Sequence, residues 1–302
     1  VDATDLEANA SMKSIVRRDS GDDWREYLRK LYEEETGDGD PDDEELRRFD
    51  KKRKKKVSNQ DWISKTDSDA RIGRMKDGRT HLKYKAENAV DLDTDMLLAA
   101  EVYHGDDGDT LTIEDTVMSA QTHLNEAETG CEIEEVAADK GYHSEDALDR
   151  LQNESHVRTY IPEKKRTKPR RWKGKSVRVK RAFHRNRKNT KGNHGRALQK
   201  KRSEKAERSF ANMCDTGGGR RTWLRGLEKV QKRYKTLAMA HNLGRIMLRL
   251  LGAGKPRHYG VLAALRRARR SAICDRWLAV IGWVVRWRAF TQRQSTPTVL
   301  AA

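Results

Sequence analysis

Two strand-like runs, HLKYKAENAVDL from His81 and LLAAEVY from Leu97, flank the turn Asp93-Thr94-Asp95 and predict a β-hairpin. The opening VDATDLEANA begins as a strand and turns helical, and Trp24, Tyr27, Leu28 and Leu31 recur at helical spacing. Residues 109–127 predict a helix with Leu111, Val117, Met118 and Leu124 among its apolar positions. Ile133–Ala138 reads as a short strand ending at Asp139. A helix follows over Ser144–Leu151, capped by the serine and carrying Glu145 and Asp146 in its first turn. Arg158–Ile161 is another short strand, stopped by Pro162. A helix resumes near Leu198, with Ala206, Phe210 and Met213 on one face, and breaks at Gly217-Gly218-Gly219. A long helix over Trp223–Leu251 then ends at Gly252.

Charge changes this picture in two places. EEETGDGDPDDEE followed by KKRKKK marks residues 33–70 as a mobile charged excursion from the core; the basic block reads either as a DNA-touching arm or as a solvated run paired with its acidic neighbour. Residues 163–196 are densely basic and poor in apolar residues, with Trp172 and Phe183 interleaved, and read as a basic, partly irregular insert. Trp172 is either a stacking surface for an unpaired base or a local hydrophobic anchor. The chain of 302 residues carries a formal net charge of +17, which favours a polyanionic partner, nucleic acid first. Only 35% of residues are hydrophobic, so the core is modest.

The three cysteines, Cys131, Cys214 and Cys274, have no CxxC spacing, which argues against a zinc knuckle or a disulfide framework and fits a reducing, cytoplasmic setting. The apolar stretch Trp277–Val285 is too short to span a bilayer, so no membrane partner is expected.

Three acids stand where chemistry can gather: Asp2 in the first strand, Asp139 at a strand end, and Glu207 on a helix. A strand Asp, a strand-end Asp and a helical Glu can converge at one edge of a mixed sheet, where hard oxygen ligands suit magnesium or manganese. Each also has a plain reading: a solvated chain-end acid, a strand-to-helix turn, and a surface helix acid paired with Arg208 or Lys200. Glu204 competes with Glu207 from one turn away. Lys140 and His143 stand between phosphate contact and a structural role, and Arg220, Arg221 and Arg225 around Trp223 read as a phosphate-binding helix start or a solvated hinge.

The blocks VDAT-x-LEANASMKSIVRRD, DARIGRMKDGRTHLKYKAENAVDLDT, VAADKGYHS and ERSFANMCDTGGGRRTWLRGLEKVQKRY resemble, in order, those of the DDE transposases of insertion sequences. ADKGYHS and ERSF with TGGGRRTWLRG are the most specific pieces, and the resemblance spans residues 1–252. It implies an α/β fold with an RNase H-like mixed sheet flanked by helices, the basic insert lying before the last catalytic helix. A basic amphipathic tail follows over 253–302. It also implies two Mg2+ or Mn2+ ions, with cutting and strand transfer at terminal inverted repeats. Carried over, Asp2, Asp139 and Glu207 are the catalytic and metal-binding carboxylates. Lys140, Arg170, Arg171, Lys173, Lys175, Arg220, Arg221 and Arg225 are the expected DNA contacts. Implied partners are terminal-repeat and target DNA and further copies of the chain, in a nucleoid-associated setting.

Two departures from the family pattern stand out. Members often place a Tyr and an Arg before the Glu and a Lys after it; here Ser203 stands four residues before Glu207 and Cys214 seven after. The first strand also starts only one residue before Asp2. Fraying and a terminal ammonium there predict weak cleavage by residues 1–302 alone, and the resemblance implies a helical DNA-end-binding region upstream. A catalytically inactive DNA-binding remnant is therefore the alternative function. A basic RNA-binding protein is a third, argued against by the ordered carboxylates.

Overall fold

The computed structural model describes residues 1–37, 41–53, 58–167 and 170–251. The tail 253–302, Cys274, Trp277–Val285, the stop at Gly252, Lys168 and the second half of the KKRKKK block lie outside them. Residues 1–241 form one compact unit, and a second begins at Asn242.

Strand β5 (Thr80–Val90) organises the main sheet. On one edge it pairs antiparallel with β1 (Asp2–Glu7), setting Asp2 opposite Asn88 and Leu6 opposite Tyr84. On the other it pairs with β4 (Arg71–Arg74) and, further along, with β6 (Leu97–His104). The hairpin expected around Asp93–Asp95 is present; Asp95 adopts φ 62° in its turn, and its buried carboxylate takes Arg208 at 3.0 Å. Asp2 is thus held in register rather than frayed.

The free edge of β1 is covered at both ends. The Val1 nitrogen donates to Ala137 O at 2.6 Å, at the end of β7 (Glu135–Ala137). At the other end Glu7 N donates to Arg220 O and Thr222 N to Glu7 O, both at 2.8 Å. Strand β7 pairs parallel with β8 (Arg158–Tyr160).

Alternation along β1 divides the core. Leu6 joins Tyr84, Phe210, Met213 and Tyr234 in one cluster. Ala3 packs against the other, built from Ile113, Leu148, Leu151, Ile161 and Phe183. The first cluster takes residues from α6 (Asn193–Phe210) and α7 (Leu227–Leu251). The second takes them from α3 (Asp109–Glu126), α4 (Glu145–Asn153) and α5 (Val177–Lys191). Helix α3 turns Thr112, Ile113, Thr116, Val117 and Ala120 inward, leaving Leu111 and Met118 of the expected apolar face exposed.

Three segments differ from expectation. Within 33–70 lies α2 (Asp43–Lys52), started by a reciprocal cap between Asp42 and Glu45, and then β3 (Trp62–Ser64), which pairs with β2 (Ile15–Arg17). Helix α1 (Trp24–Thr36) precedes them and ends at Gly37 in the left-handed conformation. The insert expected to be partly irregular becomes helical from Val177: Ser176 caps α5, which buries Ala182, Phe183 and Asn186, and α6 begins two residues after α5 ends. After α6 the chain runs through a π-helical segment, Ala211–Thr216, and α7 starts at Leu227 rather than Trp223.

Asn88 is fully buried between these parts. Its Nδ2 donates to Ser209 Oγ at 3.1 Å, and its Oδ1 accepts from Tyr234 OH at 3.0 Å, joining β5 to α6 and α7. Replacing Asn88 by Ala leaves the Tyr234 hydroxyl without its acceptor, while Ser209 Oγ still donates to Ala206 O; a buried group left unsatisfied costs about 1–3 kcal/mol. Asn88→Ala is expected to lower the urea midpoint accordingly; an unchanged midpoint would show that the amide ties nothing together.

Candidate active site

Asp2 and the strand end before Asp139 are drawn to one edge by α6. Arg202 Nη1 donates to Asp2 Oδ2 at 2.9 Å, and Arg202 Nε donates to Gln199 Oε1 at 3.2 Å. Gln199 Nε2 in turn donates to the carbonyls of Ala138, at 3.2 Å, and Tyr160. Two side chains one turn apart on α6 therefore fasten the ends of β1, β7 and β8. Neither was singled out from sequence; the available signal was a polar pair at i, i+3 on a helix that otherwise turns Ala206, Ser209 and Phe210 inward.

Asp139 ends this strand region and caps a short 3-10 turn, Lys140–Tyr142, through its backbone. Its half-buried side chain makes no hydrogen bond or ion pair among the described residues. A Cβ at Gly141 would stand 2.6 Å from Asp109 Oδ2, so a larger residue there would push the Asp109 carboxylate aside. Asp109 stands at the partly exposed rim of a polar cluster under the turn. Lys85 Nζ donates to Thr112 Oγ1 at 2.7 Å and lies 3.5 Å from Glu87, and Thr112 Oγ1 donates to Glu87 at 2.8 Å. Glu87 is fully buried. Burial pushes its carboxyl above the usual range, against the pull of Lys85. Burial, then the charges of Glu87, Asp109 and Asp2, push the Tyr142 hydroxyl far up. Asp2 and the Asp139 turn thus share one electrostatic neighbourhood. Charged residues inside the strand run around Lys85 and Glu87 were the sequence signal for this cluster.

Glu207 is placed differently. It is exposed on α6, where its carboxylate accepts from Ser203 Oγ at 3.1 Å. It stands five positions on from Arg202, about 140° round the helix, and so lies well away from the side chain that meets Asp2. Glu204, its competitor, is exposed and paired with Arg208. Among the described residues no group of three or more His, Cys, Asp or Glu side chains is close enough to hold a metal ion. By donor type Asp2 and Asp139 suit a hard divalent cation. The expected trio is not gathered, because Glu207 points outward and Arg202 holds Asp2.

The expected DNA contacts fall into three classes. Lys140, Arg171 and Lys173 are exposed and without partners among the described residues. Arg170 and Lys175 are engaged: both meet Glu145, and the Arg170 guanidinium lies 4.1 Å from the Phe183 ring centre. Arg220 pairs with Asp215 at 2.6 Å, Arg221 stands 3.8 Å from Glu7, and Arg225 Nε donates to Asn9 O at 3.0 Å. This last group lies at the far end of β1 from Asp2, about 17 Å away by strand rise. The glycine run does not open a phosphate-binding helix. Gly219 packs where a Cβ would meet Met213 O at 2.8 Å, and the start of α7 is already capped. Asp67 accepts there from Gly226 N at 3.1 Å and Asp69 from Leu227 N at 2.9 Å. Trp172 packs edge-on against Phe183, with ring centres 5.0 Å apart, and acts as a hydrophobic anchor.

The Arg202–Asp2 contact is largely shielded, the two side chains being 12% and 24% exposed. Arg202→Gln is expected to lower stability by about 1.5–3 kcal/mol, the range for a hydrogen bond to a charged group. Urea denaturation without divalent cations measures this, and an unchanged midpoint would show that the guanidinium contributes nothing to holding the strand ends.

No curated protein and no solved structure matches this chain. A family model described as the transposase DDE domain matches residues 53–243, a span that includes Asp139 and Glu207 and leaves Asp2 outside. No helix among the described residues is long and apolar enough to cross a membrane. A match over more than half of the chain, laid on an α/β core with two aspartate-bearing strand ends drawn together, fixes the family: the chain belongs to the DDE transposases.

Proposed function

We propose that the chain catalyses metal-dependent DNA cleavage and strand transfer at the terminal inverted repeats of an insertion sequence, on an RNase H-like sheet. The observation that carries this reading is the joining of Asp2 and the Ala138–Asp139 strand end through Gln199 and Arg202, on the same helix that bears Glu207. Asp2, Asp139 and Glu207 are the carboxylates that would hold Mg2+ or Mn2+. When bound, two such ions activate an attacking oxygen and stabilise the leaving one.

In cleavage, a water oxygen attacks phosphorus in line, and the bond to the 3′ oxygen breaks to leave a 3′-hydroxyl and a 5′-phosphate. In joining, the freed 3′-hydroxyl attacks a target phosphodiester, forming one P–O bond as another breaks. No covalent protein intermediate is needed. The chain contributes mainly position. Errors of about 1 Å in such a site cost on the order of a hundredfold in rate. Pairing of Asp2 opposite Asn88 would hold the first carboxylate in position. Lys140, exposed beside Asp139, would meet a phosphate oxygen. Further copies of the chain on the DNA, and a nucleoid-associated setting, belong to the same proposal.

One observation favours the second reading, an inactive DNA-binding remnant: Glu207 is exposed and bonded to Ser203, apart from Asp2. Nicking of repeat-end DNA with Mg2+ or Mn2+ decides between them. Asp139→Ala and Glu207→Ala are each expected to abolish nicking and leave DNA binding largely intact, while Glu204→Ala retains activity. Normal cleavage by Asp139→Ala would remove the assignment, and loss with Glu204→Ala but not Glu207→Ala would move the glutamate role.

Arg171 and Lys173 are free to neutralise phosphates, which releases counterions from duplex DNA. Replacing both by Ala is expected to weaken binding to all sequences alike. It should also flatten the log–log salt dependence by about 0.9 for each phosphate that is no longer neutralised. An unchanged slope in an anisotropy titration would show that they hang in solvent. Leaving Arg170 and Lys175 in place keeps their pairing with Glu145 out of the measurement.

A further inference from the structure

Six residues beyond Asp139, the chain enters α4 beside a cleft of about 350 Å³. His143 and Ser144 line it from the turn, Lys164 and Arg166 from the segment after β8, and Arg170 and Lys175 from the segment before α5. His143 is 7% exposed, and its Nε2 is buried without a hydrogen-bond partner. Its ring is fixed edge-on to Phe183, with centres 5.7 Å apart. Buried polar atoms are nearly always satisfied, so an orphan ring nitrogen at the wall of a cleft calls for a partner.

The charges show which kind. Two acids, Glu145 and Asp146, also line the cleft. Glu145 is already answered by Arg170 and by Lys175, whose Nζ lies 3.1 Å away. Asp146 is exposed. Lys164 and Arg166 are exposed and have no partner among the described residues, so the cleft carries a surplus of positive charge. Glu163, next to Lys164, is held by Arg187 outside that balance. The start of α4 adds the positive end of a helix dipole, partly offset by its own two acids, while the Ser144 side chain is spent capping Ala147 N at 3.0 Å. Two unpaired cations, Lys164 and Arg166, outnumber the one unpaired acid of the cleft, Asp146, and with the unpartnered His143 Nε2 they suit an anion with oxygens in several directions.

We propose that this cleft seats a backbone phosphodiester of the DNA strand next to the one being cut, held by His143 Nε2, Lys164 and Arg166. The assignment to DNA rests on the transposase reading above. Because His143 closes the turn that Asp139 opens, with His143 N donating to Lys140 O at 3.3 Å, a phosphate fixed here sets the strand's register relative to Asp139.

The test uses the full chain without divalent cations, so that binding is read apart from cleavage. Duplex DNA carrying the repeat end is titrated by fluorescence anisotropy over a salt series, and inorganic phosphate is titrated separately by calorimetry. Lys164→Ala combined with Arg166→Ala is expected to reduce the log–log salt slope by about 0.9, the value for one neutralised phosphate. His143→Phe keeps the ring packed on Phe183 and removes the nitrogens; it is expected to weaken duplex binding on the order of fivefold, one neutral hydrogen bond, with the slope unchanged. His143→Gln, which keeps a donor, is expected to recover part of that loss. Wild-type affinity and slope in all three variants, in a chain that binds and cuts DNA, would overturn the proposal. Loss of inorganic phosphate binding with full duplex binding retained would overturn the assignment to the DNA backbone. Failure of the wild-type chain to bind duplex at all would instead overturn the transposase reading, and phosphate calorimetry on the variants would then decide on the anion seat alone.

Discussion

A single buried amide sets the relation between sheet and helices. Asn88 has no access to water, so each of its polar atoms must be met inside the protein or be lost at full desolvation cost. Ser209 and Tyr234 meet them, and both helices are thereby held in one register against β5. Apolar packing alone tolerates sliding by a fraction of a turn. A hydrogen bond of about 3 Å with a required direction does not. With Ser209 fixed, the face of α6 that continues through Ala206 and Arg202 is aimed along the sheet toward Asp2, which pairs opposite Asn88.

The two faces of the sheet divide the work. The face covered by α6 and α7 is an apolar core interrupted by Asn88, and it fixes position. The face covered by α3 and α4 carries Lys85, Glu87, Thr112 and Tyr142 directly beneath the Asp139 turn. Glu87 and Tyr142 each keep a buried oxygen without a partner. An apolar filling would be cheaper for stability alone, so this cluster reads as a charged bed for the turn, at some cost to the fold. Asp109 links the two, one oxygen near Lys85 and the other against Gly141.

Local chemistry made much of the fold legible. The hairpin around Asp95, the Ser144 cap and the short strand ending at Asp139 are written in neighbouring residues, and the structure contains them. What could not be read depends on partners distant in sequence. The segment 177–191 has too few apolar residues to announce a helix, yet Phe183 fits a core built from α3 and α4. Asn186 closes the arrangement by bonding both backbone groups of Ile161, at 3.0 and 2.8 Å. Of the candidate site, residue type and strand-end placement marked Asp2 and Asp139. The direction of Glu207 was not legible, because spacing along a helix gives the face only once the opposing element is known. Gln199 and Arg202 were hidden for the same reason: a polar residue on a basic helix reads as solvated until a strand end is placed beside it.

The net charge of +17 needs the same distinction between residues that fold the chain and residues left to bind. Arg178 bridges Asp149 at 2.9 Å and Glu154 at 2.6 Å, and Arg187 pairs with Glu163, tying α5 to α4 and to the segment after β8. Exposed pairs of this kind contribute little individually, but several along one helix fix its orientation. Once α5 is oriented, its buried face is Ala182, Phe183 and Asn186, and the opposite side must carry Arg181, Arg185 and Lys188. These three recur at i, i+4 and i+7, exposed and without partners among the described residues. A basic segment that looked irregular by composition is therefore a rigid helix whose internal ion pairs present a row of unspent cations. Composition counts both kinds alike. Only the fold separates the arginines that answer carboxylates from those that remain for phosphate.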